Sequence, residues 1–169
     1  MNKLNDTEKK ILQSVALKLG VKTDSLYGLI NFESNWNPLA QNPKSSAKGL
    51  IQIIDKSARE LGFTNSWDMV QKNPTIQQQL QNCVYPYLKK HMPFKTEQSL
   101  FMAVFYPAAK YWPETKHFPA GIADVNSGIL TPLDYIKKVY AKMAMTYVPT
   151  FIIFLLTGTT ALLILSKKL

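Results

Sequence analysis

The apolar residues of the chain recur at helical spacing over most of its length, and no stretch alternates as a half-buried β-strand does. The first helix is predicted to begin near Asn5 or Asp6, because Asn5 and Glu8 have the spacing of a capping box. Gly20 favours the end of this helix. Its apolar positions, which we expect in the core, are Ile11, Leu12, Val15 and Leu19.

Capping residues and prolines predict the later helices. Thr23 or Asp24 caps a second helix, which ends before Pro38 because a residue that precedes proline is pushed out of the helical region. A longer helix is predicted from Asn73-Pro74, with the glutamines at positions 77–79 on its solvent-exposed face. The other predicted starts are Asp55, Ser66, Thr96 and Thr131-Pro132.

The last segment has a different pattern, because residues 148–165 are almost wholly apolar and carry no charge. About 20 apolar residues in a helix span a bilayer. The pattern therefore predicts a helical domain at residues 1–145 and one C-terminal transmembrane helix at residues 146–169, in contact with lipid through residues 147–166. The N-terminus is polar and charged, so we expect no signal peptide there.

Composition and charge narrow the choice of partners. Hydrophobic residues make up 46% of the 169 residues, which suffices for a packed core, and the formal net charge is +9. A basic surface favours polyanionic polymers of the cell envelope or phospholipid headgroups, although it is equally typical of a solvated surface. Specific nucleic-acid binding is disfavoured, because Arg59 is the single arginine and guanine recognition depends heavily on arginine. The single cysteine and the two distant histidines lack metal-ligand spacing, so we predict neither a metal nor a cofactor.

Glu33 is the candidate catalytic residue. It falls at the C-terminal end of the second predicted helix, where the helix dipole disfavours a negative charge. Burial and the dipole both raise a carboxyl pKa, and a general acid that works near neutral pH needs a raised pKa. A surface glutamate at a helix end is the alternative. Gln52 lies in the mostly apolar segment 49–54, where it is either a satisfied core amide or a group that faces a ligand.

Two motifs in this region resemble those of lytic transglycosylases, the goose-lysozyme-like enzymes that cut peptidoglycan. Glu33-Ser34, followed by Trp36 and Pro38, resembles their catalytic motif. The segment 49–52, which reads Gly-Leu-Ile-Gln, is similar to their second motif, usually Gly-Leu-Met-Gln. The resemblance covers most of residues 5–145 and implies a mainly α, lysozyme-like fold in front of the transmembrane helix.

Two later motifs extend the resemblance. The family's third motif is usually Ala-Tyr-Asn, and here Tyr106 stands for the tyrosine while Pro107 replaces the asparagine that normally contacts substrate. Tyr135 corresponds to a tyrosine of the last motif that reaches the active site. The resemblance thus implies Glu33 as the catalytic acid. The residues that it implies in binding the sugar or orienting Glu33 are Ser34, Gln52, Tyr106 and Tyr135.

The resemblance also implies a mechanism with a single carboxyl group. Glu33 would protonate the glycosidic oxygen between N-acetylmuramic acid and N-acetylglucosamine and would later accept the proton of the C6 hydroxyl, which yields a 1,6-anhydromuramyl end without water. A glycosidase with two carboxylates needs a second acid at a defined separation from the first. Asp24, Asp55 and Asp68 are each interpretable as caps or surface groups, so none stands out as that second acid.

Two alternatives to a lytic transglycosylase stay open: a true hydrolysing muramidase, and a structural membrane protein of a virion whose lysozyme-like domain is inactive. The absent signal and the apolar tail favour a membrane-anchored enzyme of a phage virion that aids cell-wall penetration or lysis. We therefore expect peptidoglycan glycan strands, lipid and other virion proteins as partners. The expected location is the internal membrane of the virion, with the bacterial inner membrane as the alternative.

Overall fold

The computed structural model describes residues 3–126 and 128–147, and this part of the chain is mainly helical, as predicted. Its only β-type pairing is a pair of isolated bridges, from Lys48 to Gln41 and to Ile53. A π-helical turn, Leu80–Val84, joins α5 to α6. The α-helices are α1 (Asp6–Leu19), α2 (Thr23–Ser34), α3 (Asp55–Glu60), α4 (Ser66–Lys72), α5 (Ile76–Gln79), α6 (Tyr85–Lys89), α7 (Glu97–Phe105), α8 (Ala120–Val125) and α9 (Pro132–Tyr147).

Helix α2 is the central helix of the fold. Residues 25–31 are all buried, and a helix that is buried on every side must be surrounded by other elements. Helices α1, α7 and α9 pack against it. Gly28 allows α9 to approach α2 closely, because a Cβ atom at this position would overlap the side chain of Met143 on α9. The core thus holds α2 rigidly, and Glu33 lies in the last turn of this helix.

Local capping explains where several helices begin. The predicted capping box at the start of α1 is confirmed, with Asn5 and Glu8 each accepting a hydrogen bond from the other's backbone N–H. The prediction of a cap at Thr23 or Asp24 is wrong, because Lys22 precedes α2 and makes no side-chain capping bond. The predicted start at Pro74 is also displaced: Thr75 forms a capping box, and α5 begins after it.

The solvent-exposed face predicted for residues 77–79 is wrong at its last position. Gln79 is only 1% exposed, whereas Gln78 is exposed. The side-chain amide of Gln79 makes three hydrogen bonds to backbone groups of other segments, which satisfies its polar atoms away from solvent. Gln79 therefore faces the protein interior.

The predicted fold class, a helical domain that ends in a transmembrane helix, is wrong in its second part. Between residues 3 and 147, in the described part, no helix combines the length and the apolar character that a membrane span requires. The last described helix, α9, includes the charged residues Asp134, Lys137 and Lys138, so its described part is too polar to cross a membrane. The predicted span at residues 146–169 lies outside the described residues apart from its first two positions. The localisation that depended on it stays a prediction.

Candidate active site

A groove of about 520 Å³ runs past the C-terminal end of α2. The turn that precedes α3 forms one wall through Ile51, Gln52 and Ile53. The C-terminal end of α7, with Phe105 and Tyr106, lines the groove as well. Segments that are far apart in sequence thus surround a cleft large enough for sugar rings.

The Glu33 carboxyl lies in this groove and is half-buried. Apolar side chains, among them Ile51, Val104 and Phe105, line the groove with it. Loss of hydration on burial raises the pKa of Glu33 to about 7, although a hydrogen bond from Tyr135 acts in the opposite direction. Near neutral pH this group is therefore able to hold a proton and to release it, as a general acid must.

Tyr135 holds the Glu33 carboxyl from the opposite helix. Its hydroxyl donates a hydrogen bond to Glu33 Oε1, although the two residues are separated by 102 positions. The ring is fully buried, stacks on Phe105 at 4.5 Å and meets the edge of Phe32 at 5.2 Å. Burial, together with the nearby Glu33, keeps the pKa of Tyr135 well above its ordinary value, so the hydroxyl remains a donor. Tyr135 thus orients the candidate acid.

Gln52 lines the same groove and has an unusual backbone conformation. Its φ is +51°, in the left-handed region that only glycine adopts freely. Its Nε2 donates to the carbonyl of Gly49 at 3.0 Å, which bends the side chain back over the turn. The side chain is half-buried and lines the groove. The amide is thus neither a fully buried core group nor a free surface group.

The other two predicted site residues differ in their positions. Tyr106 is half-buried in the groove wall, with its ring 5.8 Å from Trp112 and 5.7 Å from Phe118. Ser34 is buried, and its Oγ donates to the carbonyl of Ile30 at 3.1 Å, within α2. Ser34 is not among the residues that line the groove. Ser34 therefore lies within α2, next to Glu33, the candidate acid.

The groove also holds a second carboxyl group, which the sequence did not indicate. Glu60, at the C-terminal end of α3, lines the same groove as Glu33. Its side chain is 53% exposed and lies 3.7 Å from Lys90 Nζ. Two of the three acids considered as a partner for Glu33, Asp55 and Asp68, instead accept hydrogen bonds from the backbone N–H groups of Ser66 and Thr64. No local pattern distinguished Glu60 from an ordinary surface residue.

Two further groove residues also carried no sequence signal. Tyr87 donates a hydrogen bond to the carbonyl of Ala103 at 3.0 Å, and burial raises its pKa to about 12. His91 packs against this ring, with centroids 4.9 Å apart, and burial followed by the nearby Lys110 lowers its pKa. Within the described residues, no group of three or more histidine, cysteine or acidic side chains has an arrangement that would hold a metal ion.

Comparison with known proteins identifies one family. The sequence matches the model of the family described as Transglycosylase SLT domain over residues 10–105, which is more than half of the chain. No curated protein matches the sequence. The matched range includes Glu33 and Gln52 but ends before Tyr135, so the contact between Tyr135 and the acid is known from the geometry alone.

Proposed function

Because the chain belongs to the Transglycosylase SLT domain family, whose members are lytic transglycosylases, we propose that it cleaves peptidoglycan without water. The bond cleaved is the β-1,4 bond between N-acetylmuramic acid and N-acetylglucosamine, and the product carries a 1,6-anhydro end. The observation that carries this proposal is the Glu33 carboxyl, half-buried in a groove and hydrogen-bonded to the buried Tyr135.

Glu33 acts first as the acid. With a pKa of about 7 it is largely protonated below neutral pH, and it transfers its proton to the glycosidic oxygen as the bond from that oxygen to the muramic C1 breaks. The N-acetyl group of the substrate stabilises the positive charge that develops at C1. The Tyr135 hydroxyl then donates to the new Glu33 carboxylate, which stabilises the anion at this stage of the reaction.

Glu33 acts next as the base. The muramic C6 hydroxyl oxygen attacks C1 and closes the anhydro ring, while its proton passes to the Glu33 carboxylate. The acid is thereby regenerated, and neither water nor a second carboxyl group is consumed. Gln52 and Tyr106 line the groove, and their proposed role is to bind the sugars on either side of the cleaved bond. Ser34 takes the role of fixing the end of α2 through its bond to Ile30.

Hydrolysis to reducing sugar ends is the second candidate, and the position of Glu60 favours it. A hydrolase of this kind needs a carboxylate that activates water on the face of the sugar opposite the acid. Glu60 shares the groove with Glu33, and its exposure keeps it accessible to water.

Mass analysis of the soluble products from purified murein separates the two reactions. The full chain should release muropeptides that are lighter by one water than the products of hydrolysis. Glu33→Gln should release neither product, and Glu60→Gln should leave the anhydro products unchanged. Reducing ends that disappear in Glu60→Gln would instead establish hydrolysis. A lack of any Glu33-dependent product would refute both reactions.

The place where the enzyme acts stays a prediction. A role in a phage virion, in penetration of the cell wall or in lysis, rests on the sequence pattern described above. Detection of the chain in purified particles would support it. The catalytic proposal does not depend on that outcome, because it rests on residues of the helical domain.

A further inference from the structure

Gln79 connects three segments of the chain, one of which is the turn that carries the groove residue Gln52. It is 1% exposed, and its amide makes three of the four hydrogen bonds that a glutamine side chain can make. Oε1 accepts from the Leu50 N–H at 2.9 Å. Nε2 donates to the carbonyl of Pro38 at 2.6 Å and to that of Asn73 at 2.9 Å. One buried side chain thus joins the segment after α2, the turn before α3 and the segment before α5.

The same amide explains the glycine at position 49. A Cβ atom on Gly49 would lie 2.6 Å from Gln79 Oε1, which is closer than real Cβ contacts allow. The φ of Gly49 is +78°, a second reason for glycine at this position. The Gly49 N–H also donates to the carbonyl of Ala40 at 2.9 Å. The backbone of the turn is therefore in direct contact with the Gln79 amide and is held on two sides.

Gln52 depends on this arrangement, because its own backbone is strained. A left-handed conformation is unfavourable for an ordinary residue and persists only where its surroundings impose it. Backbone hydrogen bonds between Lys48 and Ile53 close the turn on either side of it. The side-chain contacts that add to them are the Gln79 bond to Leu50, two positions earlier, and the bond from Gln52 Nε2 to Gly49. If the turn were released, Gln52 would lose the conformation in which it lines the groove.

We propose that Gln79 is a positioning residue: it holds the Gly49–Gln52 turn so that Gln52 lines the groove that contains Glu33. Gln79 itself lies outside the groove lining, so it acts through the turn and not on the substrate. The kinetic part of this inference rests on the proposed function. The structural part, which is control of the turn, does not.

The first test is a double-mutant cycle in the full chain. Gln79→Met keeps the length of the side chain and removes all three hydrogen bonds. We expect it to lower kcat/KM for murein on the order of 10–100-fold, as small misplacements of a site residue do. Gln52→Ala added to Gln79→Met should have almost no further effect, because both changes remove the same contribution. Additive losses would overturn the proposal.

The matched control for stability is Val15→Ala, a change in the buried face of α1, remote from the groove. It should lower the free energy of unfolding and leave kcat/KM near the wild-type value. If Gln79→Met fails to fold, Gln79→Glu replaces it in the cycle, since its carboxylate retains the acceptor for Leu50 and loses both donors, to Pro38 and to Asn73. The loss in kcat/KM should then be smaller, and Gln52→Ala should again add almost no further loss.

The second test needs no enzymatic activity. Hydrogen exchange of the Leu50 amide, whose acceptor is Gln79 Oε1, should accelerate in Gln79→Met by more than the exchange of α1 core amides. Val15→Ala should accelerate the exchange of the Leu50 amide and of the α1 core amides to the same extent. Unchanged relative protection of Leu50 would refute control of the turn by Gln79. An inactive wild type would refute the proposed function, while this comparison would still decide the structural part.

Discussion

At the scale of single residues, two opposing effects determine the pKa of the Glu33 carboxyl. Burial raises its pKa, and the hydrogen bond from Tyr135 lowers it, and burial has the larger effect. The balance suits a group that must both give and take back a proton, because neither the acid nor the carboxylate is stabilised far beyond the other. Tyr135 therefore contributes to the acidity of the site as well as to its geometry.

Tyr135→Phe tests this balance. The ring and its contacts with Phe105 and Phe32 remain, and only the hydroxyl is lost. Because the lost bond lowers the pKa of Glu33, the alkaline limb of the pH–rate profile should move up by about one pH unit, and kcat should fall on the order of tenfold. Tyr140→Phe is the matched control, since it removes a tyrosine bond to Glu97 from the same helix. A limb that moves equally in both variants would contradict the role of Tyr135.

Residue roles were visible in the sequence only where a local pattern marked them. Glu33 stood out because an acid followed an apolar helical stripe, and the structure places it in the last turn of α2. Gln79 and Glu60 did not stand out. The partners of Gln79 lie 29 and 41 positions away at Leu50 and Pro38, and no spacing rule reaches so far.

At the scale of elements, the contact between α2 and α9 positions the acid relative to Tyr135. The two helices meet where Gly28 lies against Met143, so the absence of a side chain at position 28 sets their separation. The helix pattern and the start of α9 at Pro132 were predictable from capping and periodicity. The π-helical turn after α5 was not, because a single inserted position leaves the apolar stripe almost unchanged.

Gly28→Ala should destabilise the protein by about 1–2 kcal/mol, since the added methyl group must displace Met143. In a Met143→Ala background the same change should become neutral or stabilising, because the space is then free. Gly121→Ala on α8 is the control, as a Cβ atom there meets nothing within 4 Å. Chemical denaturation gives the free energy of unfolding of Gly28→Ala, Met143→Ala, their double variant and Gly121→Ala. A Gly28→Ala protein as stable as the Gly121→Ala control would contradict close packing at this crossing.

At the scale of the whole molecule, the groove exists only because the fold brings separate segments together. The end of α2, the Gly49–Gln52 turn, the end of α7 and the face of α9 that bears Tyr135 are distant in sequence. The helical class and the individual motifs were predictable from local patterns. The width of the cleft, the second carboxyl group and the support behind the turn depend on tertiary packing, which those patterns do not encode.

The central claim is that a protonated Glu33 cleaves the glycan strand, and the pH dependence of muropeptide release from purified murein tests it most directly. A general acid works only while protonated, so the wild-type rate should fall as the pH rises through about 7, the pKa of Glu33. Glu33→Gln should reduce release by at least about 10²-fold at every pH. A wild-type rate that is undiminished at pH values well above the pKa of Glu33, or a Glu33→Gln variant that retains the wild-type rate, would contradict the account.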